Sequence, residues 1–215
     1  MRTMVGPLAA LATLVVSMPA GAEVRVGALA GVNIAELQFN MEDPDVSLHS
    51  QSLLAVGAVV EIGLSRHLSL QLEPMYLQKG GKVDIRDFFG EDASASLRLS
   101  YVELPVLLKL SKPSGRARPY VIVGPSVGYR TGIRSRDEVT GEEQDSTDAD
   151  EMLEKWDFGV AAGGGLAVPV GRANVFVEGR YTWGLVNLNK EDEEFTMNNR
   201  GIQVLAGFTF PIGHR

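Results

Sequence analysis

The chain has no cysteine and only three histidines, His49, His67 and His214, and nowhere does it hold the roughly 18 uninterrupted apolar residues of a membrane-spanning helix. Without cysteine there are no disulfides and no thiol chemistry, so the core or the surroundings must stabilise the fold. Cations are also short. Twenty Lys and Arg face 27 Asp and Glu, a net charge of -7, which disfavours nucleic acid or anionic lipid as a partner held by bulk electrostatics. Disorder is excluded as well, because 45% of the 215 residues are apolar and mean hydropathy is +0.03. One domain with a substantial core is expected.

The first segment, MRTMVGPLAALATLVVSMPAGAE, places Arg2 before an apolar run of about 12 residues and then Ala20-Gly21-Ala22. That order predicts a secretory signal peptide over residues 1–22, cleaved to leave a mature domain of residues 23–215. Cleavage removes one Arg and no acid, so the mature charge is -8.

Beyond Val24 the sequence alternates with a period near two. Eight apolar stretches recur, near 24–39, 52–64, 68–80, 96–110, 118–130, 155–168, 173–188 and 198–212. Short turn-like links near Ser65-Arg66-His67, Lys112-Pro113-Ser114-Gly115 and Pro169-Val170-Gly171-Arg172 alternate with long polar, acidic ones near 40–51, 81–95, 131–154 and 189–197. Strict alternation of short and long links is that of an up-and-down antiparallel meander. The expected fold is therefore all-β: an eight-stranded antiparallel transmembrane β-barrel with short periplasmic turns and long extracellular loops.

The two faces of each stretch differ. In SYVELPVLLKL, residues 100–110, Val102, Leu104, Val106, Leu108 and Leu110 form a wholly apolar face, opposite Tyr101, Glu103, Pro105, Leu107 and Lys109. Leu68, Leu70, Leu72, Pro74 and Tyr76 likewise oppose Ser69, Gln71, Glu73, Met75, Leu77 and Lys79. A charge on a lipid-facing wall costs roughly 2–4 kcal/mol near mid-membrane, so the mixed face must point inward. Its small residues, such as Gly159, Ala161, Gly163, Gly165 and Ala167, suit a narrow interior. Glu61, Glu73, Glu103, Lys109, Glu178 and Arg180, together with Lys79, are predicted to pair there as a lumenal charge network that plugs the barrel, with Arg25 and Arg118 as further candidates. Tyr76, Trp156, Phe158, Tyr181 and Trp183 toward the loop rim, and Phe208 and Phe210 toward the turn rim, read as interfacial girdles. Pro74, Pro105 and Pro125 fall mid-strand and predict bulges or irregular pairing, since proline lacks a ladder donor. Reversed faces would instead give a soluble, lipocalin-like ligand carrier.

Several segments in order carry a family resemblance: Gly31-Val32-Asn33, YVELPVLLK from Tyr101 to Lys109, PYVIVGPS from Pro119 to Ser126, Asp157-Phe158-Gly159 with Gly163-Gly164-Gly165, and EGRYTWGLVN from Glu178 to Asn187. Together they resemble the PorT-like outer-membrane β-barrel proteins. The resemblance implies an eight-stranded barrel in the outer membrane of a Gram-negative bacterium, with the namesake tied to protein export, and no catalytic set. One departure is that Phe210 is followed by Pro211-Ile212-Gly213-His214-Arg215, where such barrels commonly end on an aromatic residue.

Chemistry is sparse. His49-Ser50 would supply base and nucleophile for an outer-membrane lipid deacylase, but no third, orienting group is singled out. Residues 137–151, DEVTGEEQDSTDADE, gather oxygens without the spacing of a calcium loop. No cofactor or metal site is expected. The leading expectation is a non-enzymatic, monomeric barrel with a structural, adhesive or export and assembly role, contacting outer-membrane lipids and lipopolysaccharide with its wall and envelope proteins with its long loops. N-terminal sequencing of the protein recovered from cell envelopes is expected to begin at Glu23.

Overall fold

Strands account for nearly all of the computed structural model, which describes residues 23–39, 46–49, 51–86, 92–137, 143–145, 155–185 and 197–212. The predicted leader, residues 1–22, lies outside the described residues. In chain order the strands are β1 (Val24–Phe39), β2 (Val46–His49), β3 (Gln51–Gly63), β4 (Leu68–Leu72), β5 (Met75–Arg86), β6 (Asp92–Ser111), β7 (Arg118–Asp137), β8 (Glu143–Asp145), β9 (Trp156–Val170), β10 (Ala173–Gly184) and β11 (Met197–Ile212). β4 and β5 are two halves of one stave, divided at Glu73-Pro74. The short strands β2 and β8 extend the loop side, pairing with Lys82–Ile85 of β5 and with Arg134–Arg136 of β7. The rest form eight antiparallel staves, each paired with its neighbours in sequence, and β11 pairs with β1 to close the barrel.

Closure has a measurable stagger. From Val24 the paired positions run through Ile62, Leu70, Leu108, Val123, Ala162, Tyr181 and Ile202, and return to β1 at Ile34, ten residues further along. Eight strands with that shear tilt by about 40° around a radius of about 8 Å, a bore that side chains fill. Every residue on this circuit is apolar or aromatic. It is one row of an outward face on which Val102, Val121, Val177, Ile202 and Phe210 are all exposed. On β7 the outward apolar and proline positions run from Pro119 to Tyr129, and on β11 the outward apolar positions run from Ile202 to Ile212. Ten residues of tilted strand span about 25 Å, the height of the lipid-facing band of an outer-membrane barrel. Above the band, polar and charged residues take over the outward positions: Gln78, Arg98, Ser100, Thr131 and Arg200. A soluble ligand carrier requires the opposite polarity, apolar inside and polar outside.

One feature departs from expectation. Strands reach further toward the loop side than the alternation indicated, with β5 ending at Arg86, β6 starting at Asp92 and β7 ending at Asp137. Residues 81–86 and 92–96 carry charged or small side chains at every second position and no long series of large apolar ones, so the pattern that marks the membrane-crossing stretches ends before the backbone pairing does. At the prolines the pairing is irregular, as expected, and takes the form of gaps rather than bulges. Ladder pairing lapses beside each of them, between Val60↔Leu72 and Gly57↔Met75, between Leu72↔Val106 and Met75↔Glu103, and between Leu108↔Val123 and Pro105↔Ser126, yet resumes in the same register. The proline carbonyls keep the wall joined: Ala58 N–H donates to Pro74 O at 3.0 Å and Glu73 N–H to Pro105 O at 3.1 Å. Between β6 and β7 the register does shift, at Ser100/Tyr101, where Thr131 is the additional residue of a β-bulge.

A cation on the outward band should unfold the barrel more easily than one at its upper edge. Val123→Arg or Val177→Arg is expected to cost about 2–4 kcal/mol, and Gln78→Arg about 0–1 kcal/mol, in denaturant titrations of barrels folded into lipid vesicles.

Candidate functional site

The bore is crossed by three connected groups of charged side chains, each built from residues that alternate inward on different strands. Nearest the turns, Lys109 Nζ of β6 lies 3.0 Å from Glu61 Oε2 of β3, whose other oxygen accepts from Ser69 Oγ at 2.9 Å. The same ammonium stands over the Tyr120 ring, 4.3 Å from its centroid. Aromatic faces attract cations in this arrangement, so Lys109 is held by charge on one side and by quadrupole on the other.

At mid-barrel, the Arg180 guanidinium of β10 is shared between two carboxylates. One nitrogen, Nη1, contacts Glu73 Oε2 of the central stave and also lies 3.3 Å from Glu178 Oε1. Nε donates to Gln203 Oε1 of β11 at 2.8 Å, and Nη2 approaches Met75 Sδ at 3.1 Å. Glu73 further accepts from Gln71 Nε2, and Glu178 accepts from Tyr120 Oη at 3.0 Å, which joins this group to the one below. Arg180, Glu73 and Glu178 are each buried to within 2% of complete.

Toward the loops, Lys79 Nζ of β5 lies 2.7 Å from Glu103 Oε2 of β6 and 2.9 Å from Asp157 Oδ2 of β9, and 5.0 Å from the centroid of Tyr101. Arg130 is buried in the wall beside them, on the rung that pairs with Tyr101.

Small residues on β9 make room for this. A Cβ added to Gly163 would collide with the backbone and Cβ of Arg180, and one on Gly165 with the ring of Tyr120. The inward glycines therefore leave the space beside them in the same wall that the Arg180 backbone and the Tyr120 ring of the neighbouring strands occupy.

Glu61, Glu73, Glu103, Lys109, Glu178 and Arg180 thus all line the bore, and with Lys79 they occupy ion pairs within it. Of the two further candidates, Arg25 sits at the turn-side mouth, paired with Glu23 at 2.8 Å, and Arg118 points into that mouth without an ion pair among the described residues. Asp157 and Tyr120 join the network in addition to the residues expected from the sequence. Asp157 belongs to the same inward series as Gly159 and Ala161, so face periodicity was a usable signal for it. For Tyr120 the signal was its parity with Arg118 and Ile122. His49 ends β2 opposite Lys82, while Ser50 lies outside the described residues, as do residues 138–142 and 146–154 of the acidic loop. His67 is exposed in a short turn.

A closed sheet with a charged, packed bore and an apolar outer wall defines a transmembrane β-barrel. The model of the outer membrane protein beta-barrel domain family matches residues 17–190, most of the sequence, and the chain belongs to that family. Membership places it in the outer membrane of a Gram-negative bacterium. Solved structures similar to it include Neisserial surface protein A (12% identity, 88% of this chain and 96% of that one, TM-score 0.46). Others are the outer membrane protein OprG from Pseudomonas aeruginosa (13%, 90% and 97%, 0.49) and Ail, the attachment invasion locus protein of Yersinia pestis (9%, 87% and 99%, 0.42). At such identities the likeness extends to the fold alone. No curated protein matches the sequence.

Truncating the shared cation leaves two buried carboxylates facing one another. Arg180→Ala is expected to destabilise the barrel by about 3–5 kcal/mol in denaturant titrations, and adding Glu73→Gln to it should recover part of that loss.

Proposed function

We propose that the chain is a non-enzymatic structural barrel of the outer membrane, closed to solutes by its own paired side chains, which serves to present its long loops. In this reading residues 1–22 direct export and are removed, the short turns face the periplasm, and the acidic loops face outward. The observation that carries the proposal is the mid-barrel group. In a barrel whose strands run at a radius of about 8 Å, Arg180, Glu73, Glu178, Gln71, Gln203 and Tyr120 bond to one another from β4, β7, β10, β11 and the Glu73 link. Groups committed in this way neither carry ions nor act as free acids and bases, because each would leave a partner buried and unpaired.

Closure of the eight staves also removes the edges through which the membrane-spanning wall could add a strand from another molecule, leaving only the short β2 and β8 unclosed on the loop side, which favours a monomer whose contacts are made there. Those loops are strongly acidic. Residues 138–154 alone carry eight carboxylates and no cation, and residues 186–196 carry four carboxylates and one lysine. Envelope partners with basic or cation-bridged surfaces, including lipopolysaccharide phosphates linked through divalent cations, suit such loops; structural, adhesive and export or assembly roles all use them in this way.

Planar-bilayer recordings of the purified barrel test the proposal. The expected result is no stable open state for the natural sequence, and steady openings once Glu73, Glu178 and Arg180 are all replaced by Ala. A large stable conductance from the natural sequence would overturn it.

A further inference from the structure

The mouth on the turn side does not share the acidity of the chain. A cavity of about 460 Å³ opens there between the β3–β4 turn, the β6–β7 turn and the starts of β1 and β10. Its floor is the Lys109–Glu61 pair with Tyr120 beneath the ammonium, and the Arg180 group fills the bore beyond. The cavity is thus a dead end, a shape for binding rather than passage.

Five cations line it, Arg25, Arg66, Lys109, Lys112 and Arg118, against two carboxylates, Glu23 and Glu61. Both carboxylates are already engaged, with Arg25 at 2.8 Å and Lys109 at 3.0 Å. Arg66, Lys112 and Arg118 are left with no carboxylate partner among the described residues. Arg118 gives the second observation. It is the first residue of β7, points inward, and its Nε is buried with no hydrogen-bond partner. A buried donor on a charged group is costly when unmade, and an anion in the cavity would satisfy it.

The backbone that carries the three cations is also fixed. Ser65 Oγ accepts from the backbone N–H groups of His67 and Leu68 at 3.3 and 3.1 Å, which fixes the turn bearing Arg66. Ser111 N–H donates to His67 O at 2.8 Å and Lys112 N–H to Pro119 O at 3.0 Å, so the two turns are tied together beside Arg118. Such prior ordering lowers the entropy cost of taking up a ligand. Nor is the cationic mouth a by-product of composition. Residues 64–67, 112–117 and 171–172 contain Arg66, His67, Lys112, Arg116 and Arg172 and no Asp or Glu, in a chain of net charge -7.

We propose that this mouth binds a phosphate-bearing anion presented from the periplasm, with Arg66, Lys112 and Arg118 as its ligands. Two guanidinium forks and one ammonium match the several acceptor oxygens of a diphosphate-sized group, and the cavity lies within the range of small-molecule sites. The side of approach rests on the proposed orientation of the barrel; binding itself does not, so titration of the purified protein can fail or succeed independently of the conductance measurement.

The test is calorimetric titration of inorganic pyrophosphate into the full mature chain, folded in zwitterionic detergent at low ionic strength. Saturable binding of one equivalent is expected, weakened about tenfold or more by Arg118→Gln and by Lys112→Gln. Arg116→Gln, which removes the same charge from the same turn but outside the cavity, is expected to leave it within about twofold. Lys112 is exposed, so its variant carries the test even where Arg118→Gln fails to fold. Absence of saturable binding, equal weakening by Arg116→Gln, or equal binding of the phosphate-free tricarboxylate tricarballylate would each overturn the proposal. Repeating the titration in nanodiscs with and without phosphatidylglycerol separates the sources of phosphate. Competition by the lipid assigns the site to a headgroup, and undiminished binding assigns it to a soluble anion.

Discussion

Everything in this molecule depends on a backbone that has no water to bond to. Inside a hydrocarbon layer each unpaired N–H or C=O costs several kcal/mol, and a sheet meets that constraint only by closing on itself. Closure here adds ten residues of stagger per circuit, and that single number sets the tilt and the narrow bore. It also divides the side chains into two populations with no intermediate. One parity meets lipid and tolerates no charge; the other meets the bore, where charges must find partners because little space is left for water.

The interior then becomes a problem of mutual satisfaction. Arg180 serves two carboxylates, Lys79 serves two more, and Lys109 is balanced by Glu61 and an aromatic face. Buried ion pairs of this kind are a weak source of net stability, since desolvation cancels much of the attraction. Their consequence is specificity. A slip of one residue in any stave would turn its charges to the lipid and its leucines to the bore, so the network favours the one register in which all of its members meet.

The prolines show how much local irregularity the closed wall absorbs. Three neighbouring ladders lapse beside Pro74, Pro105 and Pro125, but carbonyls that still accept bonds keep adjacent staves in register. The two rims differ in a way that follows from the same topology. Short turns are tied together by backbone bonds and display a fixed set of cations, whereas the long connections gather most of the acid of the chain.

The order of eight strands, the side of each stretch that faces lipid and the six charges that line the bore were legible in the sequence, because a period of two with one pure face records a boundary between solvents, and every charge within the lipid band had to lie on the other face. Strand ends beyond the apolar band were not legible, for the series of large apolar residues that marks a lipid-facing wall stops short of them. Nor was the bulge at Thr131, the unshifted register at the prolines, or the membership of Tyr120 and Asp157 in the network. Partner choice was the tertiary decision: alternation says that Lys79 and Glu103 point inward, but only the stagger of the staves determines that Asp157, 78 residues away from Lys79, meets them, and that Arg118 arrives at the mouth without a carboxylate partner among the described residues. Facing is a local property of a strand, fixed by its own residues. Pairing across a bore is set by how far the sheet slides before it closes, and that distance is written in no single segment.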